Sequence, residues 1–335
     1  MNSELLTTPE IIDRLQQLTT PDAIDWTTTV PLGGIPQVVS ARGRRRYNPV
    51  LLFVHGGPGT PLAPTGWMWQ RPIEEFFTVV HYDQRGAGRS YRLSDPDLVR
   101  PAMIINQYVQ DAAELVEWPK VELNTDRVIL VGHSWGTVVA TTLAHQRPDL
   151  VEAYLGIRQV LDFRAGEKSS YTWLCNQAAT REDATALEEL EALAPYPGEQ
   201  PLNWDKISIH RKWVERYGGF AAGRSDCDYY TQGEGTSLEY QGENHRSTTE
   251  GNQLSLEMIL PQLFDADLTG LTSFDVPIIQ FLGRHDQMTP TEPVCRWMAD
   301  VAAPRTEMEW FEDSAHMLMY EEPGHFLLAL LQHFR

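Results

Sequence analysis

The stretch VILVGHSWGT, residues 128–137, decides the fold that this sequence predicts. Its first five residues are apolar or glycine and rich in β-branched side chains, which is typical of a buried parallel strand. Residues 132–136, GHSWG, match the pattern G-x-S-x-G, and the chain after them is small and apolar, which favours a helix packed on a sheet. Strand, sharp turn and helix together predict an elbow that projects the hydroxyl of Ser134 clear of the backbone, with a purely structural turn as the alternative.

The composition indicates a globular protein with a substantial core. The chain has 335 residues, 42% of them hydrophobic, which suits one large α/β domain with an insertion or two domains. A formal net charge of −19 argues against binding to nucleic acid and to anionic membrane surfaces. Three cysteines without metal or redox spacing favour a reducing compartment and no disulfide framework.

Targeting signals are not evident in the sequence. Residues 1–17 contain no apolar segment of the kind that a signal peptide needs, and no run is long enough to span a membrane. We therefore expect a cytoplasmic protein. The histidines and acidic residues show no H-E-x-x-H or comparable spacing, so we expect neither a metal nor a cofactor. The sequence leaves the oligomeric state open.

The order of predicted elements divides the chain into three parts. Strands and helices alternate up to about residue 156, which predicts a mostly parallel central sheet with helices on both faces. Strand character returns at residues 276–282, whereas the intervening region has helical windows at 183–193 and 207–217. We predict an α/β core from residues 1–156 and 269–335, interrupted by a helical cap at 157–268. Aromatic side chains of the cap, Trp213 among them, are candidates for lining an apolar pocket, although each also fits the cap's own core.

A glycine-rich loop, HGGPG at residues 55–59, follows the predicted strand at 49–54. It lacks phosphate-loop spacing, but glycines at the carboxyl end of a parallel strand let the main chain approach a reacting carbonyl closely. We expect the N–H groups of Gly57 and of Trp135, the residue after the serine, to form an oxyanion hole. Gly56 is a further predicted substrate contact.

A second loop, DQRGAGRS at residues 83–90, follows the predicted strand at 77–82. It combines charge with glycine at the same edge of the sheet. We expect Asp83 and Arg85 to hold the site from below, and a structural turn without substrate contact is an equal alternative.

Three side chains with complementary chemistry each follow a predicted strand, in the order Ser134, Asp286, His316. A serine hydroxyl becomes a good nucleophile when an imidazole takes its proton and a carboxylate holds that imidazole. The order serine, acid, histidine is the one expected for the strand–elbow–helix architecture. Among ten histidines, His316 is chosen because it follows the last predicted strand, at 308–311. Competing aspartates lie before the strand or too close to His316: Asp265, Asp267, Asp275 and Asp313.

Taken together, these motifs resemble the α/β-hydrolase fold and, more narrowly, the proline iminopeptidase (prolyl aminopeptidase) family of serine peptidases. The resemblance rests on residues 55–59, 83–90, 132–136 and 283–286 and on the His316 loop, in family order. It implies the same nucleophile, acid, base and oxyanion donors as those named above. It also implies a small-molecule or short-peptide substrate.

The sequence departs from the family pattern at two places. The family elbow usually has a second glycine where this chain has His133. Family peptidases bind the free α-amine of the substrate through glutamates of the cap, and here Glu215 and Glu234 are the candidates, each of which also fits a solvated surface position.

Three functions are compatible with these residues. The first is an aminopeptidase that releases an N-terminal residue, with proline favoured, from small peptides through an acyl-enzyme. The second is a carboxylesterase or amidase acting on small esters or amides with an apolar acyl group. The third is a catalytically silent ligand-binding hydrolase fold. Epoxide hydrolases need an aspartate at the elbow, so Ser134 argues against that activity.

Overall fold

A single eight-stranded sheet forms the centre of the computed structural model, which describes residues 5–123 and 125–335. The strands lie in the order β1-β2-β4-β3-β5-β6-β7-β8. Their bounds are β1 Ile24–Leu32, β2 Ile35–Gly43, β3 Val50–Val54, β4 Thr78–Tyr82, β5 Val128–His133, β6 Val151–Ile157, β7 Ile278–Gly283 and β8 Thr306–Phe311.

Six of the strands run parallel to their neighbours. β1 pairs antiparallel with β2, and β2 pairs antiparallel with β4, while every pair from β4 to β8 is parallel. The predicted α/β architecture with a mostly parallel sheet is therefore confirmed. Because the carboxyl ends of parallel strands meet at one edge, the loops after β3, β5, β7 and β8 converge there.

The central strands are continuously apolar because the sheet is covered on both faces. In β3, Leu52 and Val54 belong to one hydrophobic cluster, whereas Leu51 and Phe53 belong to another. Successive side chains of a strand point to opposite faces, so this alternation assigns one cluster to each face of the sheet. The first cluster packs against helices such as the one that contains Val138, and the second against the C-terminal helix through Phe326.

Helices connect the strands and fill the long excursion between β6 and β7. Their bounds are α1 Thr8–Gln16, α2 Pro96–Val99, α3 Ile105–Glu122, α4 Trp135–Gln146, α5 Phe163–Thr180, α6 Ala184–Leu193, α7 Trp204–Arg216, α8 Asp228–Gly233, α9 Glu243–Phe264, α10 Thr291–Asp300, α11 Leu318–Glu321 and α12 Pro323–Phe334. None of the helices that the structure describes is both long and apolar enough to cross a membrane.

Helices α5 to α9 form the cap. Leu174, Leu190, Trp213 and Phe264, from four of these helices, belong to one hydrophobic cluster, so the cap has a core of its own. An antiparallel bridge between Asp162 and Asp267 joins the chain where it leaves the sheet and where it returns. The cap helices fall inside the predicted range 157–268, and the domain boundaries themselves stay a prediction.

Candidate active site

Ser134 lies on a sharp turn between β5 and α4. Its backbone has φ 53° and ψ −124°, a positive-φ conformation that costs a non-glycine residue about 1–3 kcal/mol. The N–H of Ser134 donates to the carbonyl oxygen of Ile157 at 2.9 Å, and the Ser134 carbonyl accepts from the N–H of Thr137 at 2.8 Å. The turn is thus held between β6 and α4, at the carboxyl edge of the sheet.

The glycines around the serine let helix and sheet approach each other. A Cβ added to Gly136 would lie 2.0 Å from the carbonyl oxygen of Val54, and one added to Gly132 would lie 2.8 Å from the Cα of Thr137. Both distances are shorter than real Cβ contacts allow. A larger side chain at either position would therefore move α4 away from the strands and displace the serine.

Asp286 and His316 meet at the same edge, on the turns that follow β7 and β8. The Nδ1 atom of His316 lies 2.9 Å from Oδ2 and 3.1 Å from Oδ1 of Asp286. The carboxylate also accepts from the backbone N–H groups of Met288 at 2.8 Å and Thr289 at 3.0 Å, and from the Thr289 hydroxyl at 2.8 Å. These bonds fix the carboxylate, and the carboxylate in turn fixes the imidazole.

Burial and neighbouring charges set the protonation of this pair. Burial lowers the pKa of His316 below its usual value, the Asp286 carboxylate opposes that shift, and the Arg158 guanidinium adds to it. Burial alone would raise the pKa of Asp286, but the His316 imidazole and the Thr289 N–H lower it below its usual value. The pair therefore consists of a carboxylate and a neutral imidazole near neutral pH, the state in which a histidine accepts a proton.

Ser134 and His316 line one cavity of about 250 Å³ between the sheet edge and the cap. Among the described residues, no hydrogen bond joins the serine hydroxyl to the imidazole, a separation that unliganded sites often show. The cap contributes Phe163, Trp204, Ile207, Arg211, Phe220 and Leu260 to the lining. The Phe220 carbonyl oxygen accepts the N–H of His316 at 2.9 Å, so the cap also contacts the turn that carries His316.

The glycine loop after β3 lies beside the serine, as the sequence predicts. Gly56 and Gly57 both line the cavity, and a Cβ on Gly56 would lie 3.0 Å from the Cβ of Ser134. Gly57 has φ 110°, a conformation that favours glycine. Trp135 occupies the first position of α4, where a backbone N–H has no partner within the helix. Gly57 and Trp135 thus both lie at the cavity that Ser134 lines.

Gln84 links the two loops, a role that the sequence did not reveal. Its backbone N–H donates to Nε2 of His55 at 3.1 Å, and its side-chain amide donates to the His55 carbonyl at 2.9 Å. Its side-chain oxygen accepts the indole N–H of Trp135 at 3.1 Å. Gln84 thus holds the glycine loop and the helix start at a fixed separation. The signal for it lay inside the motif at residues 83–90.

Asp83 and Arg85, the neighbours of Gln84, bond this loop to the rest of the protein. This agrees with the interpretation of residues 83–90 as a structural turn. Asp83 accepts from the Arg89 backbone N–H at 2.8 Å and from the Tyr240 hydroxyl at 2.7 Å, which ties the loop to the cap side. Arg85 makes two bonds of 3.0 Å to Asp111 on α3. Neither Asp83 nor Arg85 lines the cavity.

Two of the predicted substrate contacts are not at the cavity. Trp213 lies in the core of the cap, 3% exposed, with its indole N–H donating to Glu189 at 2.9 Å. The Glu215 carboxylate accepts the backbone N–H of Cys227 at 2.7 Å, away from the lining. Glu234, the other candidate for the α-amine, is half-buried off the lining, and burial raises the pKa of its carboxyl to about 7.

The geometry of α7 explains why Trp213 does not line the cavity. Trp204, Ile207 and Arg211 line the cavity; at spacings of three and four residues they share one face of the helix, whereas Trp213 is turned to the opposite face at 100° per residue. Arg158, directly after β6, also lines the cavity and was missed. Its signal resembles the one that identified Asp286, a charged residue in the segment that follows a buried strand.

Comparison with known proteins identifies the family of the chain. Residues 49–323 match the model of the α/β-hydrolase family. A probable aminopeptidase of Bacillus subtilis, YbaC, is 31% identical over 307 residues, which cover 91% of this chain and 94% of that protein. The proline iminopeptidase of Heyndrickxia coagulans is 25% identical over 84% of this chain and 88% of its own length.

Solved structures share the fold at lower sequence identity. The proline iminopeptidase of Mycobacterium smegmatis has a TM-score of 0.66 at 17% identity, covering 92% of this chain and 97% of that one. An esterase of Exiguobacterium antarcticum has a TM-score of 0.60 at 18% identity, covering 92% and 99%. These two likenesses concern the fold alone. Together with the sequence matches, they identify the chain as a member of the α/β-hydrolase family that is similar to the proline iminopeptidases.

Proposed function

We propose that the protein is a serine hydrolase with Ser134 as nucleophile, His316 as general base and Asp286 as the acid that orients the base. The observation that carries the proposal is the 2.9 Å contact between His316 Nδ1 and Asp286, in a cavity that Ser134 also lines. A serine that shares a cavity with a neutral imidazole oriented by a carboxylate is the arrangement that serine hydrolases use for acyl transfer.

The residues divide the reaction between them. With Nδ1 bonded to Asp286, the Nε2 atom of His316 takes the proton from Ser134 as the hydroxyl oxygen attacks the substrate carbonyl. The backbone N–H groups of Trp135 and Gly57 donate to the oxygen that becomes negative in the tetrahedral intermediate. The imidazolium then protonates the leaving group, and a water activated by the same histidine hydrolyses the acyl-enzyme.

An aminopeptidase acting on small peptides, with proline favoured at the N-terminus, is the specific activity that we propose first. Its support is the similarity to the probable aminopeptidase YbaC of Bacillus subtilis over 91% of the chain. A cavity of about 250 Å³ is smaller than most pockets that hold drug-sized ligands, which favours short peptides and other small substrates.

A carboxylesterase or amidase is the second candidate, because one feature of the cavity favours it. Among the described residues, no aspartate or glutamate is part of the lining, so no side-chain carboxylate there is placed to pair with an α-ammonium group. An ester or amide with an uncharged, apolar acyl group needs no such partner.

Labelling with a fluorophosphonate probe tests the hydrolase proposal. We expect the wild-type protein to be labelled and the Ser134→Ala variant to remain unlabelled. Absence of labelling in a folded wild-type protein, together with equal turnover by both proteins, would favour a silent ligand-binding fold. Rates on L-proline β-naphthylamide and on short-chain p-nitrophenyl esters then distinguish the two candidate activities, since an aminopeptidase hydrolyses the first and an esterase the second.

A further inference from the structure

Arg158 carries a buried positive charge at the wall of the cavity. It follows β6 directly, is 2% exposed, and has a positive φ of 61°. Its Nη1 atom contacts Nε2 of His133, whereas its Nε and Nη2 atoms are buried and have no hydrogen-bond acceptor among the described residues. Burying a cation without an acidic partner costs folding free energy, and the two unpaired nitrogen atoms add to that cost.

In two other arginines of this chain, the Nε and Nη2 atoms of the guanidinium bond a carboxylate. Arg85 bonds Asp111 through Nε and Nη2 at 3.0 Å each, and Arg284 bonds Glu312 through the same two atoms at 2.7 and 2.6 Å. That pair of parallel N–H groups matches the two oxygens of a carboxylate. In Arg158 the same two atoms are buried and bond no carboxylate among the described residues.

Nearby acids are already engaged with other partners. Asp286 is bound by His316 and by the turn that follows it. Glu321 accepts the backbone N–H groups of Ala222 at 2.5 Å and Ala315 at 3.0 Å. Both acids attract Arg158 electrostatically, but neither forms a hydrogen bond with it.

The other cation of the lining, Arg211, differs in this respect. It forms a two-fold contact with Glu167, through Nη1 at 3.1 Å and through Nη2. Burial and the charge of Arg158 hold the pKa of His133 well below its usual value, so His133 is neutral and serves as an acceptor. Arg158 is therefore the lining cation whose charge lacks a carboxylate, in a cavity whose described lining contains no acid.

We propose that Arg158, which lines the cavity, binds a carboxylate of the substrate, so that the preferred substrates of the cavity are small anionic esters or short peptides. This inference rests on the proposed function of the same site. The carboxylate belongs either to the acyl group or to the leaving group, and a C-terminal carboxylate of a dipeptide is an example of the second.

Matched substrate pairs test the inference. For the acyl side, the p-nitrophenyl monoester of adipic acid is compared with p-nitrophenyl hexanoate. For the leaving-group side, L-prolylglycine is compared with L-prolylglycinamide. In one of the two pairs we expect wild-type kcat/KM to be higher for the carboxylate member, and the pair that shows this preference locates the charge.

Three variants distinguish the planar, two-fold hydrogen bonding of a guanidinium from its positive charge alone, and a change inside the cavity from one at the surface. We expect Arg158→Gln to lower the carboxylate-to-neutral ratio of kcat/KM by about 10- to 100-fold, as the loss of hydrogen bonds to a charged group predicts. Arg158→Lys keeps the positive charge but loses the planar pair of N–H groups, and we expect its carboxylate-to-neutral ratio to lie between those of Arg158→Gln and the wild type. Arg284→Gln removes an exposed guanidinium outside the cavity, and we expect the ratio to stay as in the wild type.

A binding measurement on the wild-type protein guards against variants that fold poorly. We expect adipate, but not hexanamide, to inhibit the wild-type protein competitively and to raise its unfolding temperature. In a folded Arg158→Gln variant, we expect adipate to leave the unfolding temperature unchanged. Equal kcat/KM within both pairs, with no effect of adipate, overturns the inference even when Ser134 is labelled. Stabilisation by adipate without any labelling of Ser134 would instead reject the hydrolase proposal and retain the carboxylate site.

Discussion

Replacing Gly136 by alanine tests whether the elbow is held by direct packing of α4 on β3. The added Cβ would lie 2.0 Å from the Val54 carbonyl oxygen and 2.7 Å from the His55 carbonyl oxygen, whereas real Cβ contacts are essentially never shorter than 3.0 Å. Both obstacles are backbone atoms, one at the end of β3 and one in the loop after it, so the helix start must move by about 1 Å. Overpacking of this kind costs about 1–3 kcal/mol of folding free energy, and a 1 Å misplacement of a catalytic group lowers the rate about 100-fold.

Two measurements on Gly136→Ala check these magnitudes. Urea unfolding followed by tryptophan fluorescence gives the free energy of unfolding, and the rate of labelling by a fluorophosphonate probe reports the position of Ser134. Gly324→Ala on α12 is a matched control, because nothing lies within 4 Å of the added Cβ and alanine is the better helix former. A Gly136→Ala variant with wild-type stability and wild-type labelling would refute the close approach of helix and sheet.

Three further substitutions address other contacts. Asp286→Asn removes the carboxylate that orients His316, and we expect kcat to fall by about 10⁴; an unchanged kcat in a folded variant would contradict the orienting role. Gln84→Leu leaves the indole of Trp135 and a buried carbonyl without a partner, and we expect unfolding free energy to drop by about 1–3 kcal/mol and esterase kcat to fall at least about tenfold. Burial lowers the pKa of His81 from 6.5 to about 3, so between these values the unfolded chain binds more protons than the folded one and stability falls as pH decreases. Thermal unfolding from pH 8 to 5 should therefore show a smaller loss of stability in His81→Gln than in the wild type.

Much of the sheet was predictable because both of its faces are covered. Strands that are buried on both faces are continuously apolar, and this local signal placed β3, β4, β5 and β7 within two residues of their observed bounds. Prediction was weaker at the ends of helices: the helix expected to end at residue 116 continues to Glu122. Helix ends depend on tertiary contacts as well as on the hydrophobic period.

The positions of the predicted triad followed from chain order, since a side chain just beyond a parallel strand lies at the carboxyl edge whatever the rest of the fold does. The contact between His316 and Asp286 at 2.9 Å is what that reasoning anticipates. The roles of Ser134, Asp286 and His316 in catalysis stay proposals that labelling and substitution test.

By itself, the sequence determined the strand–elbow–helix unit and the order of the residues that gather above the sheet, because both depend on local patterns. The tertiary structure alone decided which face of α7 meets the cavity, and so placed Trp204 and Arg211 in the lining and Trp213 in the core of the cap. It also decided which cations have an acid partner: Arg211 contacts Glu167, and Arg158 has no carboxylate among the described residues. A sequence shows that a residue is charged, but the partner of a buried charge depends on segments that are distant in the chain and meet only when it folds.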